Sequence, residues 1–142
     1  MINYVVGFVF DEYNKRVLLI KKNRPEWQVG KYNGVGGKVE DNETPYEAMV
    51  RECEEECGLL LYNWLLVDTY TDDVNYKVYF FTIQTPSIDK AYTKTDESIE
   101  VLNLEGLFES CFGMDLIVYP ANALILDYYR RNTKEVLNGK RN

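Results

Sequence analysis

Between Thr44 and Gly58 the sequence holds the signals that start and stop an α-helix, and it gives that helix two opposed faces. Thr44 is an N-cap, Pro45 suits the first turn, and Glu47 completes a capping box, the cap alone being worth about 1 kcal/mol. Gly58 supplies the stop. Tyr46, Met49, Val50, Cys53 and Cys57 recur at helical spacing, so this apolar stripe has to be buried against a sheet. On the other side Glu52, Glu55 and Glu56 stand at i, i+3 and i+4, about 5 to 6 Å apart at Cβ. Like charges so placed repel by a few tenths of a kcal/mol per pair, and a hard cation reverses that sign; oxygen ligands of this kind suit Mg²⁺ or Mn²⁺. A solvated acidic face is the other reading of the triplet.

Upstream of this helix, Ile2 to Phe10 and Arg16 to Lys21 are β-rich runs joined by the polar segment Asp11 to Lys15, a hairpin pattern. Asn23 to Lys31, with Pro25 and Gly30, reads as a loop that leads into Tyr32-Asn-Gly-Val-Gly-Gly-Lys38, whose glycines let another group come close to the backbone. Downstream, Trp64 to Thr71 and Tyr76 to Ile83 read as strands around Asp72 to Asn75, with Ile99 to Leu104 a weaker third. Ala121, Leu124, Ile125, Tyr128 and Tyr129 then mark a helix that begins at Pro120 and stops at Gly139, its end complemented by Arg130, Arg131 and Lys134. Strands with two separate helices predict an α/β or α+β sandwich. No repeat, linker or long charge block interrupts the chain, so residues 1–142 are expected to form one domain.

Charge and residue usage narrow the chemistry. With 16 Lys+Arg against 23 Asp+Glu the net charge is −7, the wrong sign for holding nucleic acid through its phosphates, so no stable nucleic-acid complex is expected and a phosphate ligand needs help from a cation. The sequence has no histidine, which excludes His-dependent triads, His-containing zinc sites and an imidazole base. Its 3 cysteines include no CxxC pair, so neither a disulfide framework nor a thiolate zinc site is indicated. Met1 to Phe10 lack a basic leader pattern, and no apolar run approaches the ~20 residues of a membrane span, so a cytoplasmic protein without a membrane partner is expected. The 12 tyrosines suit core, pocket or dimer surface alike, which leaves a homodimer open.

The whole register from Gly37 to Leu59 resembles the Nudix box: glycine, five residues, Glu, seven residues, Arg-Glu, an aliphatic, any residue, Glu-Glu, any residue, Gly, an aliphatic. Gly37, Glu43, Arg51, Glu52, Glu55, Glu56, Gly58 and Leu59 fill that pattern, with the small apolar Cys53 in one aliphatic place. The resemblance implies an α/β/α sandwich with a mixed central sheet and hydrolysis of a nucleoside diphosphate linked to another group, with Mg²⁺ or Mn²⁺ as cofactor. By position, Glu52, Glu55 and Glu56 would be the metal carboxylates and the Gly36 carbonyl a backbone ligand. Arg51 would orient a metal-binding glutamate and Glu43 would brace the loop-helix-loop, although both also read as a structural ion pair. The cation would neutralise the pyrophosphate and acidify a water, and a carboxylate would take its proton. That base would be a box glutamate or a carboxylate on a later loop, where Glu97 stands out and Asp96 and Glu100 are rivals; all three also suit an exposed acidic turn.

Two further segments are similar to the MutT-like oxidised purine nucleoside triphosphatases. In those enzymes Trp-Asn-Gly precedes the box; here Tyr32 replaces the tryptophan, Asn33 would read a base edge or simply form a turn before Gly34, and Lys38 would be a substrate contact. The run from Phe112 to Pro120 resembles the segment that carries a stacking tryptophan and two aspartates, with Phe112, Met114 and Asp115 in those places. Stacking and one carboxylate are kept, though Phe112 also suits a core. The resemblance implies a Mg²⁺-dependent nucleoside triphosphate pyrophosphohydrolase releasing a nucleoside monophosphate and pyrophosphate, with oxidised purine nucleotides such as 8-oxo-dGTP among its substrates. ADP-ribose, dinucleoside polyphosphates or capped RNA are the alternatives within the same chemistry. A catalytically silent nucleotide-binding module would not need the three glutamates.

Overall fold

The computed structural model describes residues 1–109 and 113–140, with 134–140 as backbone alone. A 7-stranded mixed sheet is built from β1 (Ile2–Asp11), β2 (Arg16–Lys21), β3 (Tyr32–Asn33), β4 (Val35–Lys38), β5 (Leu65–Thr71), β6 (Tyr76–Thr85) and β7 (Ile99–Asn103). β1 is its axis: it runs parallel to β6 along its whole length, pairs antiparallel with β4 through residues 4–7 and with β2 through Val9 and Phe10. β7 and β3 extend the sheet from β2, and β5 forms the edge beyond β6.

The helices are α1 (Pro45–Cys57), α2 (Leu104–Glu109), α3 (Gly113–Leu116) and α4 (Ala121–Lys140). Alternation along the strands divides the core between them. Val5, Val9, Leu18, Ile20, Phe81 and Ile83 meet Met49, Cys53 and Cys57 of α1 on one face. Phe8, Phe10, Val17, Leu19 and Phe80 meet Ala121 and Ile125 of α4 on the other. This is the α/β/α sandwich. Among the described residues no helix is long and apolar enough to cross a membrane.

Several expectations are met in detail. Thr44 Oγ1 accepts from the Glu47 N–H while Glu47 accepts from the Thr44 N–H, and Gly58 closes α1 in the left-handed region at φ 77°. The hairpin turn is held by Asp11, whose carboxylate accepts from the Lys15 and Arg16 backbone, with Asn14 at φ 56°.

Others are corrected. Tyr46 is exposed and its hydroxyl donates to the Tyr62 carbonyl, so the buried stripe of α1 is Ala48, Met49, Cys53 and Cys57, with Val50 packed beside it. The glycine run, given no element in the sequence reading, forms strands at residues 32–33 and 35–38, where a Cβ on Gly34 or Gly36 would meet the backbone of β1. Leu104 opens α2 instead of ending a strand, α2 and α3 have no counterpart in the sequence reading, and Trp64 precedes β5, with its indole N–H on the Leu61 carbonyl. The final helix continues through Gly139 to Lys140, which leaves Arg130 and Arg131 in its middle, where Arg131 pairs with Asp127. Phe112 and Cys111 lie outside the described residues.

Candidate active site

Arg51 is the hub of the acidic face. Its Nε and Nη2 donate to the two oxygens of Glu43, each at 2.8 Å, and Nη2 also donates to the Lys38 carbonyl at 3.0 Å. Its Nη1 donates to Glu52 at 2.8 Å and to Glu55 at 3.2 Å. One guanidinium therefore ties the loop before α1 to the helix while facing two of the three glutamates. The Arg51 guanidinium holds the Glu43 carboxyl below the usual carboxylate range, and the Glu40 N–H adds to that effect.

Glu56 lies deeper. Its Oε1 accepts from the Gly36 N–H at 2.8 Å, and burial with the nearby Glu52 charge pushes its pKa up to about 8, against the Gly36 hydrogen bond. Burial also raises Glu52, opposed by Arg51 and by a hydrogen bond with Glu56. Burial thus pushes both carboxyls toward the protonated form. Glycines make room for this pair: a Cβ on Gly37 would stand 2.6 Å from the Glu52 carboxylate, and one on Gly36 would overlap the Val5 carbonyl of β1. Glu55 is more open to solvent and turned to Arg51. Among the described residues no three carboxylates or thiols converge into a ready-made metal cage. The donor set nevertheless fits a hard divalent cation, since it offers only oxygens and two of them belong to desolvated carboxyls crowded against each other.

Glu97 is buried, not part of an exposed turn. Its Oε1 accepts from Lys22 Nζ at 3.0 Å, and its Oε2 from the backbone N–H of Asn23 at 2.6 Å and of Arg24 at 3.3 Å. Burial raises its pKa, but these donors outweigh burial and the carboxyl lies below its usual range. The charges of Lys22 and Glu97 both act on Glu56, which places this pair beside α1. Asp96 pairs with Arg24 on the surface, and Glu100 accepts from the Tyr32 hydroxyl at 2.6 Å.

A cleft of about 730 Å³ opens next to the acidic pair. Gly34, Gly36 and Gly37 line it where β4 runs, Lys22 and Arg24 supply positive charge, and Val6, Val78 and Phe80 form an apolar floor. Its rim is aromatic: Trp27 and Tyr119 are each 67% exposed and Tyr70 44%, so their ring faces are open for stacking. Asn33 lines the cleft, with Gln28 beside it.

The structure thus brings Glu43, Arg51, Glu52, Glu55 and Glu56 together, sets Gly36 against Glu56, and sets Asn33 in the adjoining cleft. Lys38 contributes its carbonyl to Arg51, and neither its side chain nor Asp115 lines the cleft; both residues are exposed. Sequence reasoning missed Lys22, Arg24, Trp27, Gln28, Tyr70 and Tyr119, which come from distant segments. The open aromatic and basic residues of the Lys22–Lys31 segment were the one available signal, and nothing in its spacing separates them from a surface loop.

The NUDIX domain model matches residues 2–124. An 8-oxo-dGTP diphosphatase of Proteus vulgaris is 33% identical over 72 residues, a stretch that spans 51% of this chain and 63% of that relative. Among solved structures, a MutT from work on Aliivibrio salmonicida and Vibrio cholerae superposes with a TM-score of 0.66 at 20% identity, covering 90% of this chain and 94% of the other. The E. coli dihydroneopterin triphosphate pyrophosphohydrolase does so with a TM-score of 0.67 at 17% identity, covering 91% and 95%. At these identities the superpositions speak for the fold, while the matched family model extends from β1 into α4 and takes in every box residue, so the chain belongs to the NUDIX domain family of hydrolases.

Proposed function

We propose that this protein is a divalent-metal-dependent nucleoside triphosphate pyrophosphohydrolase of the MutT-like kind, which releases a nucleoside monophosphate and pyrophosphate. The observation that carries the reading is that Glu52 and Glu56 pack against Gly37 and Gly36, the same glycines that line a basic, aromatic-rimmed cleft. Metal-binding carboxylates and a nucleotide-sized cleft therefore share one strand. The similarity to an 8-oxo-dGTP diphosphatase supports the triphosphate class and adds oxidised purine nucleotides to the substrates to be tried.

Glu52 and Glu56, with Glu55 swung away from Arg51 and the Gly36 carbonyl, would hold Mg²⁺, or Mn²⁺ in its place. When bound, the cation supplies charge neutralisation for the pyrophosphate and an acidified water as nucleophile. Arg51 keeps Glu52 in position, and Glu43 keeps Arg51 in position. Lys22 and Arg24 line the cleft where phosphate oxygens need positive charge. Glu97 enters as a positioning residue, since both its oxygens already accept hydrogen bonds that fix Lys22 and the backbone of residues 23 and 24. A box carboxylate would accept the proton of the attacking water. Trp27, Tyr70 and Tyr119 offer faces for the base.

The test is product analysis across canonical and oxidised nucleoside triphosphates, ADP-ribose, dinucleoside polyphosphates and capped RNA, with Mg²⁺ and with chelator. Equimolar pyrophosphate and monophosphate from triphosphates is the expected result. Cleavage confined to ADP-ribose, dinucleotides or caps would retain the box chemistry and reject the triphosphate assignment.

A further inference from the structure

A hydrogen-bonded chain lines the cleft, and its direction is fixed from one end. The Gly34 backbone N–H can only donate, and it donates to Asn33 Oδ1 at 2.8 Å. Asn33 Nδ2 is left to donate to Gln28 Oε1 at 3.3 Å. Gln28 lines the cleft, and while its Oε1 accepts from Asn33 its amide nitrogen has no partner among the described residues. Asn33 Nδ2 keeps a second N–H beside it. No aspartate or glutamate among the described residues lines the cleft. The tyrosine hydroxyls on the cleft serve as donor or acceptor alike, so the polarity that is fixed beside Asn33 is that of the Asn33 and Gln28 amide nitrogens, both donors.

A base that presents carbonyl oxygens satisfies such a lining. An exocyclic amino group in the same place sets donor against donor and leaves both desolvated without a partner. We propose that Gln28, with its polarity set by Asn33 and the Gly34 N–H, is a specificity-determining residue that selects nucleotides with a carbonyl-edged base, the 6-oxopurines and 4-oxopyrimidines, over adenine and cytosine. The proposal deepens the nucleotide reading of the cleft and rests on it. Gln28 is half-buried in a short turn outside the sheet, so its replacement does not put the fold at stake.

Calorimetric titration of nucleoside monophosphates reads the preference without turnover, using two pairs that exchange a carbonyl for an amino edge: IMP against AMP, and UMP against CMP. The wild-type chain binds IMP and UMP about tenfold more tightly than their partners, the discrimination expected from one or two well-made base contacts. In Gln28→Glu the carboxylate still accepts from Asn33 but offers the cleft an acceptor, and the order reverses. Gln28→Leu abolishes the preference without reversing it. Equal affinities in the wild-type chain, binding of none of the four, or a preference that survives Gln28→Glu would overturn the assignment. Triphosphate turnover is measured separately: base preference without cleavage would reject only the proposed reaction, and cleavage without base preference would reject only the role of Gln28.

Discussion

A carboxyl group buried beside a second carboxyl has two ways to stay there: it keeps its proton or it shares a cation. Glu56 meets that choice against Gly36 and Glu52, and its pKa near 8 is the proton-bound answer of the metal-free protein. Glu56→Gln keeps an oxygen for the Gly36 N–H and removes the need to hold a proton or share a cation there. The expected result is an unchanged or higher Tm with kcat lowered about 10²- to 10³-fold, the loss of several kcal/mol of metal-derived stabilisation; calorimetry and initial rates check the two halves. Glu43 titrates in the opposite sense. Arg51 holds it below its unfolded value of about 4.3, so its share of stability is present above that pH and is lost as pH falls through the folded pKa. Glu43→Gln is therefore less stable than wild type at neutral pH, and the gap between their Tm values closes below about pH 4. At this scale the box residues were legible because a helix converts fixed spacing into a shared face. Gln28, Trp27 and Tyr119 were not, because only tertiary contacts bring them to one cleft.

Two neighbouring glycines on β4 make different demands. A Cβ on Gly36 would overlap the backbone of β1, whereas one on Gly37 would meet only the end of the Glu52 side chain, at 2.6 Å. Gly36→Ala is expected to destabilise the β1–β4 pairing by at least the 1 to 3 kcal/mol of an overpacked site, visible as a lowered Tm. Gly37→Ala is expected to fold with nearly the wild-type Tm and to lose metal affinity, since Glu52 must swing away. Equal loss of stability in both would contradict this division. On α1, Thr44→Ala removes the capping box and costs about 1 kcal/mol, a Tm loss of about 4 °C in thermal denaturation. The cap and the αL stop of this helix were readable because they are local chemistry. β4 was not readable, since glycine favours loops in isolation and its ladder partner, β1, lies some thirty residues away in sequence.

Across the whole molecule, one sheet separates two tasks. α1 covers one face and presents its carboxylates at the margin of β4, while the cleft opens on the face that α4 covers in part, over Val6, Val78 and Phe80. Gly36 and Gly37 of β4 belong to both, since they meet Glu56 and Glu52 and also line the cleft. Strand alternation and two amphipathic helices made the sandwich predictable; the order of its strands, with β1 parallel to β6 and shared between β4 and β2, was not written in any local pattern. The central claim is that the Glu52–Glu56 pair holds the cation on which hydrolysis depends. Pyrophosphate release from nucleoside triphosphates, followed as Mg²⁺ is titrated into the wild-type chain and into Glu56→Gln, tests it most directly. The account predicts turnover that saturates with Mg²⁺, vanishes with chelator, and in the variant is slower and half-saturates at higher Mg²⁺; a chelator-insensitive rate, or an identical Mg²⁺ dependence in the two proteins, would contradict it.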